Sequence, residues 1–331
     1  MNTLTKFLEN CNSRSVPFQG SFRFNEPMSD HTTFKTGGPA DLWIRPEGEC
    51  FPEYAAMLLE SAHNERIPVF VLGGGANLAV SDEGIRGIVL DTGGYAGEMG
   101  SGEWGMGNGE EVPTPYSPLP TPHSLFFRAG TSVDDAVEIA AARSLSGMEF
   151  LAGMPGSIGG ALWMNARCYD REMADVVRQV KVLEWNGIRT ITPKKEDFSY
   201  KKSPFQGMDC LILAVSAALE EGESAVIRET ISARRKDRET KGHYRCPSAG
   251  SAFKNNRAFG KPTGQIIDEL GLKGFRVGGA QVAPWHGNII INSGGARSAD
   301  ILALVKMVED RVKEETGMEL EREILFTGNF Y

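Results

Sequence analysis

The stretch Val71-Leu-Gly-Gly-Gly-Ala-Asn-Leu78 holds the run of glycines that decides how this 331-residue chain folds. The residues leading into it, Pro68–Leu72, are apolar and predict a buried strand. A second strand is predicted at Gly87–Asp91, within fifteen residues of the first. That spacing leaves no room for the crossover helix of a Rossmann unit, so we expect a different fold.

A second glycine cluster, Gly153-Met-Pro-Gly-Ser-Ile-Gly-Gly-Ala161, follows later in the chain. Glycine permits positive φ and lets backbone N–H groups approach a ligand, so consecutive turns of this kind form anion-binding concavities. Neither cluster matches GxxxxGK[ST], which argues against ATP in a P-loop, and neither fits GxGxxG before a helix. The pair predicts a dinucleotide cradled between two loops, with ordinary tight turns as the alternative.

The composition is that of an ordinary globular enzyme, with 41% hydrophobic and 24% charged residues. A net charge of −8 gives no overall attraction to nucleic acid or anionic lipid. Five scattered cysteines without a CxxC pair fit a reducing cytosol, so we expect a cytoplasmic protein. The sequence shows no signal peptide, no apolar run of membrane-spanning length and no metal-ligand spacing.

Hydrophobic periodicity predicts the regular elements. Helices are expected over Thr3–Asn12, Glu53–Glu65, Ser132–Ser144, Val226–Lys241, Thr263–Leu270 and Ser298–Thr316, the last capped by Ser298. Further strands are expected over Val177–Trp185, Leu211–Leu219 and Glu319–Phe326. Gly93–Pro122 is rich in Gly, Glu and Pro and predicts a flexible surface insertion.

Two polar residues of the C-terminal part are candidates for chemistry. Ser251 follows the basic run Arg234–Arg245, whose cations could stabilise an alkoxide, so it is a candidate proton donor; a turn serine is the alternative. Glu323 shares one face of the predicted last strand with Leu325, and from this pattern alone an exposed sheet edge is favoured over a buried carboxylate. The basic run itself predicts a solvated helix face first and an anionic substrate second.

Six motifs follow one another along the chain: His31-Thr-Thr-Phe-Lys-Thr-Gly-Gly-Pro-Ala-Asp41, Val71–Leu78, Gly153–Gly160, Pro247-Ser-Ala-Gly-Ser-Ala-Phe-Lys-Asn255, Leu272-Lys-Gly-Phe-Arg-Val-Gly-Gly-Ala280 and Glu319-Leu-Glu-Arg-Glu-Ile324. Taken together, they resemble the UDP-N-acetylenolpyruvoylglucosamine reductases of bacterial peptidoglycan synthesis. The resemblance covers residues 30 to 328 apart from the insertion. The first three motifs are similar to those of a wider class of FAD folds, and the last three set the family.

The resemblance implies an α+β fold, with a two-lobed FAD-binding domain of the vanillyl-alcohol-oxidase-like (PCMH-type) class and a C-terminal α+β substrate domain. The expected divisions are residues 1–78 for the first lobe, completed by 319–331, residues 79–223 for the second lobe with the insertion 93–122, and residues 224–318 for the substrate domain. The short interval from Tyr200 to Ser251 favours the branch of the family that lacks an extra substrate-domain loop.

The resemblance also implies the reaction, an NADPH-dependent, FAD-mediated reduction of the enolpyruvyl group of UDP-N-acetylglucosamine enolpyruvate to UDP-N-acetylmuramate. It makes Ser251 the proton donor and places Glu323 beside the substrate carboxylate. The substrate-binding residues it implies are Tyr200, Lys241 at the diphosphate, Asn255 and Arg167. The FAD-binding residues it implies are Gly73, Gly74, Gly75, Ala76, Asn77, Leu78, Gly130, Gly153, Met154, Pro155, Gly156, Ser157, Gly159, Gly160 and Asn165.

One position departs from the family pattern. The family has Tyr-Arg-x-Ser where this chain has Tyr200-Lys201-Lys202-Ser203. Lys201 keeps the charge that would polarise the enolate but loses the bidentate fork of arginine, and it is taken as a catalytic residue. Arg167 is the alternative source of the missing guanidinium.

Two rival functions remain at this point. One is another FAD oxidase or dehydrogenase of the same fold acting on a hydroxy acid, and the other is an inactive flavin-binding homologue. The expected partners are the enolpyruvyl sugar nucleotide and NADPH, with no nucleic acid, no membrane and a monomeric chain.

Overall fold

The computed structural model describes residues 3–13, 16–100 and 123–330, in which helices and short strands alternate. The helices are α1 (Thr3–Asn12), α2 (Phe51–Asn64), α3 (Val133–Ala142), α4 (Ile158–Trp163), α5 (Ser224–Thr240), α6 (Thr263–Glu269) and α7 (Ser298–Thr316). Within these ranges, none of the helices is long and apolar enough to cross a bilayer.

In the described part of the chain the strands are mostly short and belong to three main sheets and three two-stranded ladders. They are β1 (Gly20–Pro27), β2 (Pro39–Pro46), β3 (Val69–Leu72), β4 (Leu78–Val80), β5 (Ile85–Asp91), β6 (Glu98–Met99), β7 (Ser124–Arg128), β8 (Leu145–Ser146), β9 (Arg167–Cys168), β10 (Arg171–Glu172), β11 (Val177–Glu184), β12 (Gly187–Ile191), β13 (Leu211–Ala218), β14 (Glu220–Glu221), β15 (Ser248–Ser251), β16 (Arg276–Val277), β17 (Ala280–Val282), β18 (Ile289–Asn292) and β19 (Leu325–Thr327).

The first sheet has the order β1-β2-β5-β3 and carries the first glycine loop at the end of β3. Strand β5 lies parallel to both β2 and β3. The segment between β3 and β5 contains the glycine loop and β4 but no helix, which confirms the prediction that no crossover helix fits there. Because β5 is an inner strand, the expected lobe boundary after residue 78 falls inside this sheet.

The second sheet is antiparallel, in the order β12-β11-β13-β7-β6, and α3 and α4 pack on it. Helix α5 packs here too, since its buried Ile227 and Ile231 belong to the same core. The expected domain boundary at residue 224 therefore precedes a helix that packs on the second lobe.

The start of the expected flexible insertion is regular structure. Strand β6 pairs with β7. Tyr95 is buried and its ring stacks on Phe51 with centroids 4.7 Å apart. The expectation of a flexible segment is thus wrong for residues 93–100, because Tyr95 and Met99 supply buried side chains. The remainder of that prediction, residues 101–122, lies outside the described residues.

The third sheet, β15-β18-β17-β16, packs against α6 and α7. Its core also contains Phe34 and Ala79, so the C-terminal part shares a hydrophobic core with the first lobe. Helix α7 has the predicted bounds, but its N-cap residue is Arg297 rather than Ser298. The acceptor for the first N–H groups comes from outside the helix, since Asp82 accepts hydrogen bonds from Ser298 N and Ala299 N at 2.8 and 3.0 Å.

The predicted last strand, Glu319–Phe326, is wrong over most of its length. Only Leu325–Thr327 is a strand, and it lies parallel to β4. Upstream of it the backbone pairs with the loop after β15, because the N–H groups of Glu323 and Ile324 donate to the carbonyl of Ala252 at 2.8 and 3.4 Å. The other helices and strands lie within a few residues of their predicted bounds.

Candidate active site

The two glycine clusters meet in space. A Cβ atom placed on Gly74 would lie 2.5 Å from the Cα of Gly156, and one on Gly73 would lie 2.6 Å from Ser157 Oγ. Backbones approach this closely only where both sides lack a side chain. The structure therefore brings together two loops that the sequence separates by more than seventy residues.

The first loop is held from its other side by the segment around His31. Gly75 has φ of +62°, and a Cβ there would overlap the carbonyl oxygen of His31. Thr33 N donates to Gly75 O at 3.1 Å. Gly75 is thus required both by its left-handed backbone and by the close approach.

Several backbone N–H groups at this junction have no hydrogen-bond acceptor within the described residues. Those of Gly74, Gly75 and Ala76 in the first loop, and of Gly156 and Ser157 in the second, make no hydrogen bond to the part of the chain that the structure describes. Unpaired N–H groups clustered on glycine loops are suited to a diphosphate. The residues present therefore fit a bound dinucleotide better than a purely structural pair of turns.

The second loop differs from the sequence interpretation in one respect. It runs directly into α4, and Ser157 caps that helix by accepting a hydrogen bond from Gly160 N at 3.3 Å. Gly159 lies inside α4, where a Cβ would be 2.9 Å from the Cβ of Ala129. Gly130, the next residue, packs as tightly, against the carbonyl of Thr92.

An ion pair lies beside the first loop. Lys201 Nζ is 2.6 Å from Glu323 Oε1, and the two side chains are only 14% and 12% exposed. Asn77, in the glycine loop, donates from Nδ2 to Glu323 O at 2.9 Å and accepts from Leu325 N at 3.0 Å. The sequence-based preference for an exposed Glu323 is therefore wrong, because Lys201 compensates the buried carboxylate.

Ser251 ends β15 and lines a cavity of about 320 Å³ together with Asn255, Lys273, Trp285 and His286. The residue after it, Ala252, accepts the N–H of Glu323. Ser251 and the ion pair are consequently carried by two backbone segments in direct contact. Because Ser251 lines a cavity, its hydroxyl is placed to contact a bound molecule, which a serine in a solvent-exposed turn is not.

Comparison with known proteins identifies the family. The UDP-N-acetylenolpyruvoylglucosamine reductase of Treponema denticola is 37% identical over 345 aligned positions, which cover 100% of each chain. This chain belongs to the UDP-N-acetylenolpyruvoylglucosamine reductase family. The reductase of Borreliella burgdorferi is likewise 37% identical, over 91% of this chain and 93% of its own.

A family model and a solved structure agree with this membership. Residues 242–327 match the model described as UDP-N-acetylenolpyruvoylglucosamine reductase, C-terminal domain. The crystal structure of the reductase (MurB) from Thermus caldophilus is 32% identical, with a TM-score of 0.70 over 94% of this chain and 100% of its own. The resemblance and the fold class predicted from the sequence are confirmed.

Three of the expected substrate-binding residues of this reductase-family chain lie together. The N–H of Asn255 donates to Tyr200 Oη at 3.3 Å, and the Arg167 guanidinium lies over the Tyr200 ring at 5.7 Å. Asn255 Oδ1 accepts the N–H of Thr263 at the start of α6, at 2.9 Å. Since Lys201 pairs with Glu323 and Arg167 contacts Asp170 and Tyr200, the cation beside Glu323 is Lys201.

Asn165 and Lys241 both have partners within the protein. Asn165 is fully buried, and its side-chain amide bonds the backbone of Ser199 and Ala174 at 3.0 Å each, so it shapes the loop before Tyr200. Lys241 Nζ is 2.7 Å from Asp237 and half exposed. This ion pair lowers the pKa of the Asp237 carboxyl.

A second cavity of about 360 Å³ lies between Pro155 of the second glycine loop and the C-terminal part. Its main side chains were not predicted as site residues, and the basic run was the one pattern that pointed to them. Arg238, expected on a solvated face, is buried and donates from Nε to Gly153 O at 3.0 Å, while Tyr244 Oη donates to the same oxygen at 2.6 Å. His243 lines this cavity; burial lowers its pKa to about 4, and the charge of Arg238 adds to the effect.

Proposed function

We propose that this chain reduces the enolpyruvyl group of UDP-N-acetylglucosamine enolpyruvate to give UDP-N-acetylmuramate, as an FAD-containing, NADPH-dependent oxidoreductase of peptidoglycan precursor synthesis. One observation supports this function above all. The Lys201–Glu323 pair is bonded through Asn77 to the loop that fits the cofactor diphosphate, so the charged pair and the cofactor loop form one unit.

When bound, FAD and NADPH would supply the hydride chemistry that reduces the enolpyruvyl double bond. The side chains stabilise the developing negative charge and deliver the proton. Lys201 stabilises the negative charge that develops next to the substrate carboxylate, while Glu323 holds the Lys201 ammonium in place. Ser251 delivers the proton to the adjacent carbon. Groups of this kind in a water-poor site each lower a barrier by about 3–4 kcal/mol.

The residues for binding are proposed in the same way. The N–H groups of residues 74–76 and 156–157 hold the FAD diphosphate, supported from behind by Gly130, Gly159 and the Gly153 backbone. Tyr200, Asn255 and Arg167 contact the sugar nucleotide. Lys241 is released from Asp237 to meet the substrate diphosphate. The two lobes hold FAD, and the part from about residue 242, where the family model begins, binds the substrate.

The setting of the enzyme completes the proposal. None of the five cysteines, all of which lie in the described residues, forms a disulfide, which suits the reducing cytoplasm that we propose as its compartment. We also propose that the chain acts as a monomer.

Flavin absorbance of the purified protein tests the reaction. Under anaerobic conditions NADPH should bleach the bound flavin, and the enolpyruvyl sugar nucleotide should restore the colour. A hydroxy-acid oxidase would recover its colour in air without that substrate, and an inactive homologue would not bleach. Ser251→Ala should bleach at the wild-type rate but recover about 10²–10³-fold more slowly. Equal recovery would remove Ser251 from its proposed role.

A further inference from the structure

His31 lies between two buried carboxylates in the first lobe. Its Nε2 is 2.9 Å from Glu26 Oε1, and its Nδ1 is 3.9 Å from Asp91 Oδ2. Both carboxylates are only 5% exposed. Two buried carboxylates close to each other are costly unless neighbouring groups bond them, because an uncompensated charge in a protein interior loses its hydration.

The other groups that face this ring fix its position but supply little buried charge. The Trp43 indole stacks on His31 with centroids 4.8 Å apart and donates from Nε1 to Asp91 Oδ2 at 3.2 Å. Arg23 also donates to Glu26, at 2.9 Å, but its side chain is largely exposed. Arg45 reaches the Gly93 carbonyl from the solvent side. His31 is thus the most buried of the basic side chains that these contacts bring to the pair.

The Asp91 carboxyl registers this environment. Burial raises its pKa, while the Gly93 N–H, the positive charges of Arg45 and His31, and the Trp43 hydrogen bond act in the opposite direction. Gly93 N donates to Asp91 Oδ1 at 2.7 Å. Removing the ring of His31 would leave the two carboxyl groups facing each other across the space that the ring now occupies.

The backbone of the same residue presses against the first glycine loop. The His31 carbonyl occupies the space that a Gly75 side chain would need, and Thr33, two residues later, donates its N–H to Gly75 O. The first of these contacts explains the absence of a side chain at Gly75, and the second sets the orientation of the Gly75 peptide. A shift of the turn that carries His31 would therefore move the unpaired N–H groups of residues 74–76.

We propose that His31 is a positioning residue for FAD: its ring, placed between Glu26 and Asp91 and stacked on Trp43, holds the 31–33 turn against Gly75 and so presets the N–H groups that bind the cofactor diphosphate. The proposal rests on the proposed function in one respect, that FAD binds at the glycine loops. It adds that FAD affinity depends on a residue that does not touch the cofactor.

The test is the dissociation constant of FAD from the apoprotein, followed by quenching of flavin fluorescence. His31→Ala removes the ring that lies between Glu26 and Asp91, so FAD binds about 3- to 30-fold more weakly. His31→Gln keeps a donor for Glu26 and should restore most of the affinity. His63→Ala is the matched control, since His63 contacts Trp185 and neither carboxylate.

Each outcome decides the matter. His31→Ala affinity equal to that of His63→Ala, or His31→Gln affinity as weak as that of His31→Ala, would overturn the role of His31 while leaving the proposed function intact. A wild-type chain that does not bind FAD would overturn both. If His31→Ala does not fold, Glu26→Gln decides instead: it retains the histidine but weakens its contact, and FAD affinity equal to that of His63→Ala would overturn the role.

Discussion

Replacing Lys201 by methionine should separate the two halves of the catalytic cycle. Methionine keeps the length and the apolar stem of the lysine side chain but removes its charge. Lys201 contacts Glu323, and its proposed role is to stabilise charge on the enolpyruvyl substrate, which takes no part in the reduction of the flavin by NADPH. We therefore expect the oxidation of the flavin by the enolpyruvyl substrate to slow, and its reduction by NADPH to proceed at close to the wild-type rate.

The size of the effect follows from the ion pair. At the 2.6 Å separation of Nζ and Oε1, the attraction is about 6 kcal/mol with an effective dielectric constant of about 20. Desolvation of two ions offsets most of this, but removing one partner leaves a buried charge and costs about 3–5 kcal/mol of folding stability. For the transition state, loss of one charge-stabilising group corresponds to about 10²–10³-fold in rate.

Stopped-flow absorbance of the flavin measures both half-reactions, and urea denaturation measures stability. Lys202→Met is the control, because its side chain is the exposed lysine next in the chain. Lys201→Arg keeps the charge and should retain most of the rate. The double variant Lys201→Met/Glu323→Gln should regain stability but not rate. Equal slowing of both half-reactions in Lys201→Met, or no slowing, would refute the role given to this lysine.

Three further predictions concern the cofactor loop, acid stability and the attachment of α7. Gly74→Ala should purify without flavin, seen as a lost 450 nm band, since its Cβ would strike Gly156, whereas Gly207→Ala, with open space around it, should stay yellow. His243 is protonated more readily in the unfolded chain than in the folded one, so the free energy of unfolding falls as the pH drops below about 6.5 towards about 4. His243→Gln should reduce that loss of stability, measured by urea titrations at pH 7 and 5. An identical loss in the variant would contradict the prediction. Asp82→Ala removes the acceptor of the first N–H groups of α7 and should cost about 1–2 kcal/mol by the same method, with an unchanged m-value.

The sequence-based predictions that were confirmed depend on local patterns of residues. The bounds of α7 follow from its 3.6-residue periodicity and from Gly317, and the two glycine clusters are visible because the purpose of glycine is local. The cap of α7 was missed for the opposite reason. A serine at the start of a helix is the usual cap, but here the carboxylate of Asp82, 216 residues away in the chain, takes that place.

The same distinction explains the candidate site. Glu323 and Lys201 could each be named from their motifs, but that they form one buried pair is a tertiary fact. Alternating residues around Glu323 indicated a strand because such alternation is typical of one. The N–H groups of Glu323 and Ile324 instead donate to the carbonyl of Ala252. These hydrogen bonds bring Glu323 close to Ser251, and they also interrupt the predicted strand.

The side-chain bond from Asn77 to the Glu323 carbonyl spans 246 positions of the chain. Chains emerge from the ribosome N-terminus first, at about 5–20 residues per second. The glycine loop is therefore synthesised some tens of seconds before the residues that bond Asn77, which are Glu323 and the first residue of β19. Until then the flavin pocket is incomplete, and Phe34 and Ala79 lack the C-terminal residues that cover them in the folded protein. FAD that binds after release would stabilise the completed fold, because it binds the folded state and not the unfolded one.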